Sequence, residues 1–445
     1  MSNLLRDKTT LKKYFGTDGI RGIPNINLTN EIISKISSSV EEVLKPTSVA
    51  VILDTRNSSL EILNWICEGF SENIEVVNYG VLPSGSMPIL LKHFGHNLGI
   101  IISASHNPSE YNGIKLIDEN GSKLQDNIEI EIESHFENID LPKAHTSFKD
   151  SEDGYKVYYE FLDELFDFDI ANFNIVIDSA YGSAYKIIDH LLRENNSKFN
   201  MIANTPDGEN INFESGATHT NNLIITLKKG QIGAAFDGDA DRLIMVDEEG
   251  NTCNGDVIIL LIAKYLSAIN QLNNNVVVST VMSNYGFKNA MEKNSFKNVE
   301  TSVGDKYVAE AMGENNASLG GEQSGHIIIS DKLPVGDGLL TLVYVLKALS
   351  FFNTTLAQFR TENIEEYPQK LVNLELQEKP DDKQLLELDL IAKKLSEESE
   401  LDGRYLIRNS GTEPMLRVLV EASNQELVEN FSNKLINNIK KFLQT

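Results

Sequence analysis

Short β-branched runs alternate with amphipathic stretches along nearly the whole chain, and this alternation restricts it to α/β architectures. Val49–Asp54 (VAVILD) reads as a buried strand, followed by a polar turn and a helix through Leu63, Ile66 and Phe70. The theme recurs in IEVVNYG then MPILLKHFG, in LGIIIS (Leu98–Ser103), in FNIVIDSAYG then AYKIIDHLL, and in NNVVVSTVMS then YGFKNAMEKN. A chain of 445 residues exceeds what one hydrophobic core holds. Polar, weakly periodic joints at Leu141–Gly154, Glu248–Asp256 and around Tyr367–Pro368 give four expected domains, 1–150, 151–252, 253–366 and 367–445. The last ends in a helix whose start reads as a capping box, Ser423-x-x-Glu426, with Leu427, Phe431, Leu435, Ile439 and Leu443 on its apolar face.

Charge and cysteine content exclude several classes. With 39 basic and 65 acidic residues the net charge is 39 − 65 = −26, so a non-specific nucleic-acid binder is not expected. No run of 18 apolar residues occurs, so no membrane span is expected. MSNLLRDKTTLKKYFG is too polar for a secretory leader, and two cysteines, Cys67 and Cys253, give no disulfide framework. These features set the expectation of a cytoplasmic protein.

Four loops carry chemistry. In GAAFDGDADRLIMVD an apolar strand runs into Asp237, Asp239 and Asp241, spaced i, i+2, i+4, with Arg242 next. Carboxylates this close repel one another unless a cation neutralises them, and hard oxygen donors suit Mg²⁺ or Ca²⁺. An EF-hand fails the test, since its sixth position is Arg242 rather than glycine and a strand precedes it. Mg²⁺ is usually held by few carboxylates plus phosphate oxygens, so a phosphate is the natural missing ligand.

The second loop, IISASHNPSEYNGIKL, places Ser103, Ser105 and His106 at the carboxyl end of a strand, where open α/β sheets build their sites. No G-x-S-x-G occurs, which argues against a hydrolase nucleophile elbow. The third, SLGGEQSGHIII, offers Glu322, Ser324 and His326 to hydroxyl groups beside paired glycines. The fourth, IRNSGTEPMLRV, sets Arg408, Ser410, Thr412 and Arg417 around Gly411, a combination that fits a phosphate dianion.

A further segment, KYFGTDGIRG, sets Arg21 in a glycine-rich turn. TDGIRG, SASHNP, DGDADR, GEQSGH and RNSGTEP, in this order across essentially the whole chain, make it resemble the α-D-phosphohexomutase superfamily. The resemblance implies three α/β domains with mixed sheets plus a smaller α+β C-terminal domain around a central cleft. It implies that Ser105 carries the transferring phosphate, that Ser105, Asp237, Asp239 and Asp241 hold one Mg²⁺ per subunit, and that His106 and Lys115 transfer protons. Arg21 and Arg242 would steady phosphate and the serine loop. Gly304, Glu322, Ser324 and His326 would meet the sugar, and Arg408, Asn409, Ser410, Gly411, Thr412 and Arg417 the phosphate that does not react. A hexosamine or hexose 1,6-bisphosphate would serve as intermediate and activator, and a homodimer is the family expectation.

GEQSGH, TVMSN and VGDKYV resemble the branch acting on glucosamine phosphate, which feeds UDP-N-acetylglucosamine and cell-wall precursors, with Gln323 the most telling residue. The branches acting on glucose or mannose phosphates are the alternative. Lys306 stands where Arg is expected, Ala240 where Gly is common, and Asn409 where this branch often has a small residue or Pro. A phosphatase would not need the Arg408–Arg417 loop, and a P-loop kinase is excluded because the chain holds no Gly-Lys pair. A sugar-phosphate sensor descended from such an enzyme would be expected to lose Ser105 or a metal aspartate, and neither is lost.

Overall fold

In the run Ser48–Leu53, all but the first residue are buried, because alternate side chains enter two different cores. Val49, Val51 and Leu53 pack with Ile33, Ile36, Ile62 and Ile66 of the helices Asn30–Leu44 and Ser59–Gly69. Ala50 and Ile52 face the other way, onto Met87, Leu90 and Leu91 of the helix Met87–Phe94. The computed structural model in which this is seen describes residues 12–409 and 415–443.

That strand is the centre of a six-stranded mixed sheet made of β1 (Ile20–Gly22), β2 (Ser48–Leu53), β3 (Glu75–Val81), β4 (Leu98–Ile102), β5 (Asn112–Asp118) and β6 (Phe148–Asp150), in the order β1-β5-β4-β2-β3-β6. β5 runs antiparallel to β4 and β1, and the other pairs are parallel. A second sheet holds β7 (Asn174–Asp178), β8 (Lys198–Ile202), β9 (Ile232–Phe236), β10 (Leu243–Val246) and β11 (Thr252–Cys253), ordered β11-β10-β9-β7-β8. A third holds β12 (Val276–Thr280), β13 (Lys297–Thr301), β14 (Leu319–Gly321) and β15 (Ile327–Ile329), ordered β13-β12-β14-β15. The fourth is antiparallel throughout: β16 (Gln369–Glu375), β17 (Gly403–Asn409) and β18 (Met415–Ala422), ordered β16-β18-β17. Three mixed α/β sheets and one small α+β layer are the architecture expected from the sequence.

The four loops of interest share one structural role. Each connects an antiparallel pair: β4 to β5, β9 to β10, β14 to β15 and β17 to β18. In the first three, a connector anchored at both ends by a strand ladder has its register set by that ladder, which fixes which way the flanking side chains point.

The described chain divides into two compact units. One spans Leu11–Met282 and Asn294–Glu362 and contains the first three sheets. The other contains Ser283–Lys293 and the chain from Asn363 onward, so the helix Tyr285–Lys293 belongs with the fourth sheet rather than with the third. In this second unit the helices Asp382–Glu398 and Gln425–Leu443 cover one sheet face through Leu388, Ala392, Phe431, Leu435 and Ile439. The last helix is capped one residue later than the sequence suggested. Asn424 Oδ1, not Ser423, accepts the Leu427 N–H (3.0 Å), because its side chain sits at the Ncap position. A complete capping box does occur at Asp381 and Gln384. Among the described residues no single helix is long and apolar enough to cross a membrane.

One buried polar cluster gives a stability prediction. His96, 7 % exposed, lies between Ser48 Oγ (2.5 Å, to Nδ1) and Tyr79 Oη (2.7 Å, to Nε2). Burial pulls its pKa down. The folded state therefore favours the neutral ring, while the unfolded chain takes up the proton near pH 6.5, so this contribution is complete above about pH 6.5 and is lost as pH falls below it. Between about pH 7 and pH 5, His96→Gln should lose less thermal stability than the parent chain. Parallel losses of Tm in both would remove His96 from the account.

Candidate active site

The serine loop is fixed from beneath by a residue pair that stands outside the sequence motifs. Asp54 follows β2, and its Oδ2 accepts Arg56 Nε (2.8 Å) and Ser103 Oγ (2.6 Å), all fully or almost fully buried. The Arg56 guanidinium then donates to the carbonyls of Ser105 (3.0 Å), Asn107 (2.8 Å), Pro108 (2.5 Å) and Tyr111 (2.8 Å). Asn212, from the second sheet's side, donates to the carbonyls of Ser105 (2.8 Å) and Asn107 (3.0 Å). Ser105 is held at φ +51°, a conformation costly for a residue with a Cβ, and its backbone N–H is tied to Ser103 Oγ (2.8 Å).

That geometry delivers Ser105 Oγ to 2.6 Å from Asp237 Oδ2. Asp237, Asp239 and Asp241 are buried and bring carboxylate oxygens within 4.8 Å of one another. Gly238 allows the loops to meet, since a Cβ there would lie 2.6 Å from the Ser105 carbonyl. Ala240 adopts φ +58°, a conformation that glycine takes without strain and that marks this alanine as mildly strained.

The three carboxylates have unlike partners. Asp239 Oδ2 accepts Lys115 Nζ (2.7 Å) and Ser84 Oγ (2.8 Å), and Asp241 Oδ2 accepts Lys115 Nζ (3.0 Å). Asp237 Oδ1 takes the Arg242 backbone N–H (3.2 Å). The Oδ1 atoms of Asp239 and Asp241 are buried with no donor among the described residues. Buried carboxylate oxygens left orphaned in a cluster of hard donors fit a divalent cation of the Mg²⁺ class. Burial, with Asp241 and Asp239 adding to it, pushes the Asp237 carboxyl well above the usual range. Burial acts the same way on Asp241, but Lys115, His326 and Arg242 outweigh it and hold that carboxyl below the usual range.

Lys115 lies on β5 opposite Ile101, so the strand register aims it at the triad. Burial acts to discharge its ammonium, yet Asp18, Asp239 and Asp241 together keep its pKa well above the ordinary value. Asp18, missed in the sequence, lies 3.1 Å from Lys115 Nζ and pairs with Arg21 and Lys123. Arg21 also donates to Asn107 Oδ1 (3.1 Å) in the serine loop. His106 Nδ1 lies 3.3 Å from Ser105 Oγ. Burial, with Arg242 and Arg21 nearby, lowers His106 to about 4, so its ring is neutral at pH 7.

The third loop joins the same unit. Glu322 accepts the Gly304 N–H (3.0 Å), and Gly304 at φ +135° is a position for glycine. His326 Nε2 stands 3.3 Å from Asp305 and 3.9 Å from Asp241. Ser324 is exposed, and Gln323 donates to Asp256 Oδ2 (3.2 Å). In the other unit, Arg408 on β17 stands directly opposite Arg417 on β18, with Asn373 of β16 next in the row. Asn409 donates to the Pro380 carbonyl (2.9 Å). Ser410, Gly411 and Thr412 lie outside the described residues.

The Arg56 staple can be tested as a structural element. Replacing one member of a buried ion pair leaves the other uncompensated, so Arg56→Met should cost about 3–5 kcal/mol in urea unfolding. A loss under about 1 kcal/mol would show that the serine loop does not depend on it.

Comparison with known proteins identifies the family. Domain models of the phosphoglucomutase/phosphomannomutase family match residues 12–143 (alpha/beta/alpha domain I), 156–250 (domain II), 254–367 (domain III) and 371–437 (C-terminal domain). Phosphoglucosamine mutase of Lactobacillus gasseri is 39% identical over 442 residues, covering 95% of this chain and 97% of that protein. The Staphylococcus saprophyticus phosphoglucosamine mutase is 38% identical over 440 residues, 96% and 97% covered. Among solved structures, a phosphoglucomutase/phosphomannomutase family protein of Burkholderia thailandensis superposes with TM-score 0.78 at 21% identity, covering 97% of this chain and 98% of that one. Aspergillus fumigatus N-acetylphosphoglucosamine mutase in complex with GlcNAc-6P and magnesium gives 0.67 at 17% identity, with 98% and 97% covered. At these identities and coverages the chain belongs to the phosphoglucosamine mutase family, within the α-D-phosphohexomutase superfamily.

Proposed function

We propose that this protein interconverts glucosamine 6-phosphate and glucosamine 1-phosphate by phosphoryl transfer to and from Ser105. The observation that carries the reading is Ser105 Oγ seated 2.6 Å from Asp237 in a buried carboxylate triad with two orphaned oxygens. Curated relatives at 38–39% identity over nearly the full chain support the glucosamine branch.

Phosphoryl transfer asks a protein mainly for positioning and charge neutralisation. In the resting enzyme Ser105 would be phosphorylated. The sugar's free hydroxyl attacks that phosphorus, the P–Oγ bond breaks, and a hexosamine 1,6-bisphosphate forms. The intermediate turns end for end, and its other phosphate returns to Oγ. His106, neutral and 3.3 Å from Oγ, takes the proton that the attacking hydroxyl gives up and passes it to the departing serine oxygen, and the return step reverses both transfers. Lys115 supplies fixed positive charge, because its carboxylate partners hold it protonated. Mg²⁺ held by Asp237, Asp239 and Asp241 would neutralise negative charge on the transferring group. Arg21 and Arg242 steady that group, while Gly304, Glu322, Ser324 and His326 take the sugar. Arg408, Asn409, Ser410, Gly411, Thr412 and Arg417 take the distal phosphate. A cytoplasmic location and a homodimer belong to the same reading.

The test is ³¹P NMR with Mg²⁺, a trace of hexose 1,6-bisphosphate, and glucosamine 6-phosphate and glucose 6-phosphate in equal amounts. The glucosamine 1-phosphate ester should appear first. The glucose ester appearing first would overturn the branch assignment, and inorganic phosphate alone would overturn the mutase. Ser105→Ala should lower turnover by at least about 10³-fold, since the acceptor oxygen is gone. EDTA should abolish turnover, with Mg²⁺ restoring it; activity that survives chelation would remove the metal from the scheme.

A further inference from the structure

The charges beside the triad close into a ring. Lys115 Nζ lies 3.0 Å from Asp241 Oδ2 and 3.1 Å from Asp18 Oδ2. Lys123 pairs with the other oxygen of Asp18 and with Asp305 Oδ2. Asp305 Oδ2 is 3.3 Å from His326 Nε2, which returns to Asp241 Oδ2 at 3.9 Å. Asp18, Lys115 and Lys123 belong to the first sheet's segment, Asp241 to the second's and Asp305 and His326 to the third's. Lys115, Lys123, Asp241 and His326 also line one small cavity.

Lys123 is delivered to this ring by a tightly bonded turn. After β5, Asp118 Oδ1 accepts the N–H groups of Asn120 (2.9 Å) and Ser122 (2.9 Å), and the Asp118 N–H donates to the Ser122 carbonyl (2.7 Å). The ammonium thus stands between two carboxylates that would otherwise face each other across the junction of two sheets. Asp305 adjoins Gly304, whose N–H holds Glu322, so whatever moves Asp305 moves the sugar loop.

We propose that Lys123 is a positioning residue for phosphoryl transfer, holding the Asp18 turn and the Asp305 end of the helix Asp305–Asn315 together so that Lys115 and Glu322 keep their places. The proposal rests on the mutase reading for its kinetic consequence and on the ring alone for its structural one. Lys123 is not needed to attach that helix, because Lys306 independently joins it to Asp126 (2.8 Å) and Glu129 (3.1 Å), which Lys12 also binds. Without Lys123, like charges at Asp18 and Asp305 repel, and the two segments separate while the fold persists.

The experiment compares the full chain with its Lys123→Met and Lys123→Arg variants in Mg²⁺. It measures kcat and KM for glucosamine 6-phosphate, and amide hydrogen exchange of residues 17–22 and 303–309 without substrate. Lys123→Met should lower kcat about 30-fold with KM changed less than about 3-fold, as expected when alignment rather than binding is lost. Exchange should rise in both segments, and Lys123→Arg should restore both readouts. Unchanged exchange in Lys123→Met overturns the proposal, as does a kcat loss that Arg does not rescue. A parent chain that isomerises no sugar phosphate sinks the mutase reading, and the exchange data still decide the contact. If Lys123→Met does not fold, Asp305→Asn removes one end of the bridge, and exchange in 17–22 unaltered by it overturns the proposal.

Discussion

Three carboxylates in one short hairpin connector cannot stay buried and ionised without positive groups against them. The second sheet offers Arg242 beside the loop, and Lys115 comes from the first sheet, with the His326 ring of the third 3.9 Å from Asp241. Neutralising the triad is therefore inseparable from packing the first two sheets together. The unlike protonation tendencies of Asp237 and Asp241 follow from the same arrangement. Lys115 reaches Asp239 and Asp241, while Asp237 has the Ser105 hydroxyl, a backbone N–H and the Arg242 guanidinium at 3.9 Å. The carboxyl nearest the serine is the one with the least positive charge on it, and a cation bound there would drive off any proton it holds.

Placing the reactive groups on hairpin connectors gives this charge cluster its precision. Ile114 and Leu116 enter the core under the first pair of helices, so Lys115 between them must point to the opposite face, beside Ile101 and Ile117. A slip of one residue would bury Lys115 among aliphatic side chains and aim Ile114 at the carboxylates. The apolar alternation of β5 thus fixes the direction of an ammonium group. At the other end of the same hairpin, Arg56 spends its guanidinium on four carbonyls of the loop, which keeps Ser105 in a backbone conformation it would not adopt alone.

How much of this was legible in the sequence depends on whether a residue announces itself by local pattern. The βα alternation and the three-plus-one division into sheets were legible, because strand and helix periods are local. Ser105, Lys115 and Asp237 through Asp241 were legible because several polar groups stand together after an apolar run. Asp54, Arg56, Asp18, Lys123, Ser84 and Asn212 were not, since each is one polar residue in an ordinary turn and acquires its role from partners 49 to 182 positions away. The hairpin character of the four loops was open to inspection in GIKLID, LIMVD, HIIIS and MLRVLVEA, apolar runs that resume directly after each motif. The cap at Asn424 was misassigned to Ser423 because a capping-box spacing is met by chance in a polar linker, and backbone direction rather than spacing decides which side chain reaches an N–H.

The second unit shows the opposite electrostatic problem. Arg408 and Arg417 stand directly across an antiparallel pair, where like charges are ordinarily unfavourable, and Arg417 Nε is buried without a partner among the described residues. The two helices cover one face of this sheet, and alternation sends both guanidinium groups to the other, away from Leu416, Val418 and Val420. Glu421 pairs Arg404 on the same strands. Two guanidinium groups side by side on one face suit an anion of matching charge that visits them. On the mutase reading that visitor is the phosphate that does not react.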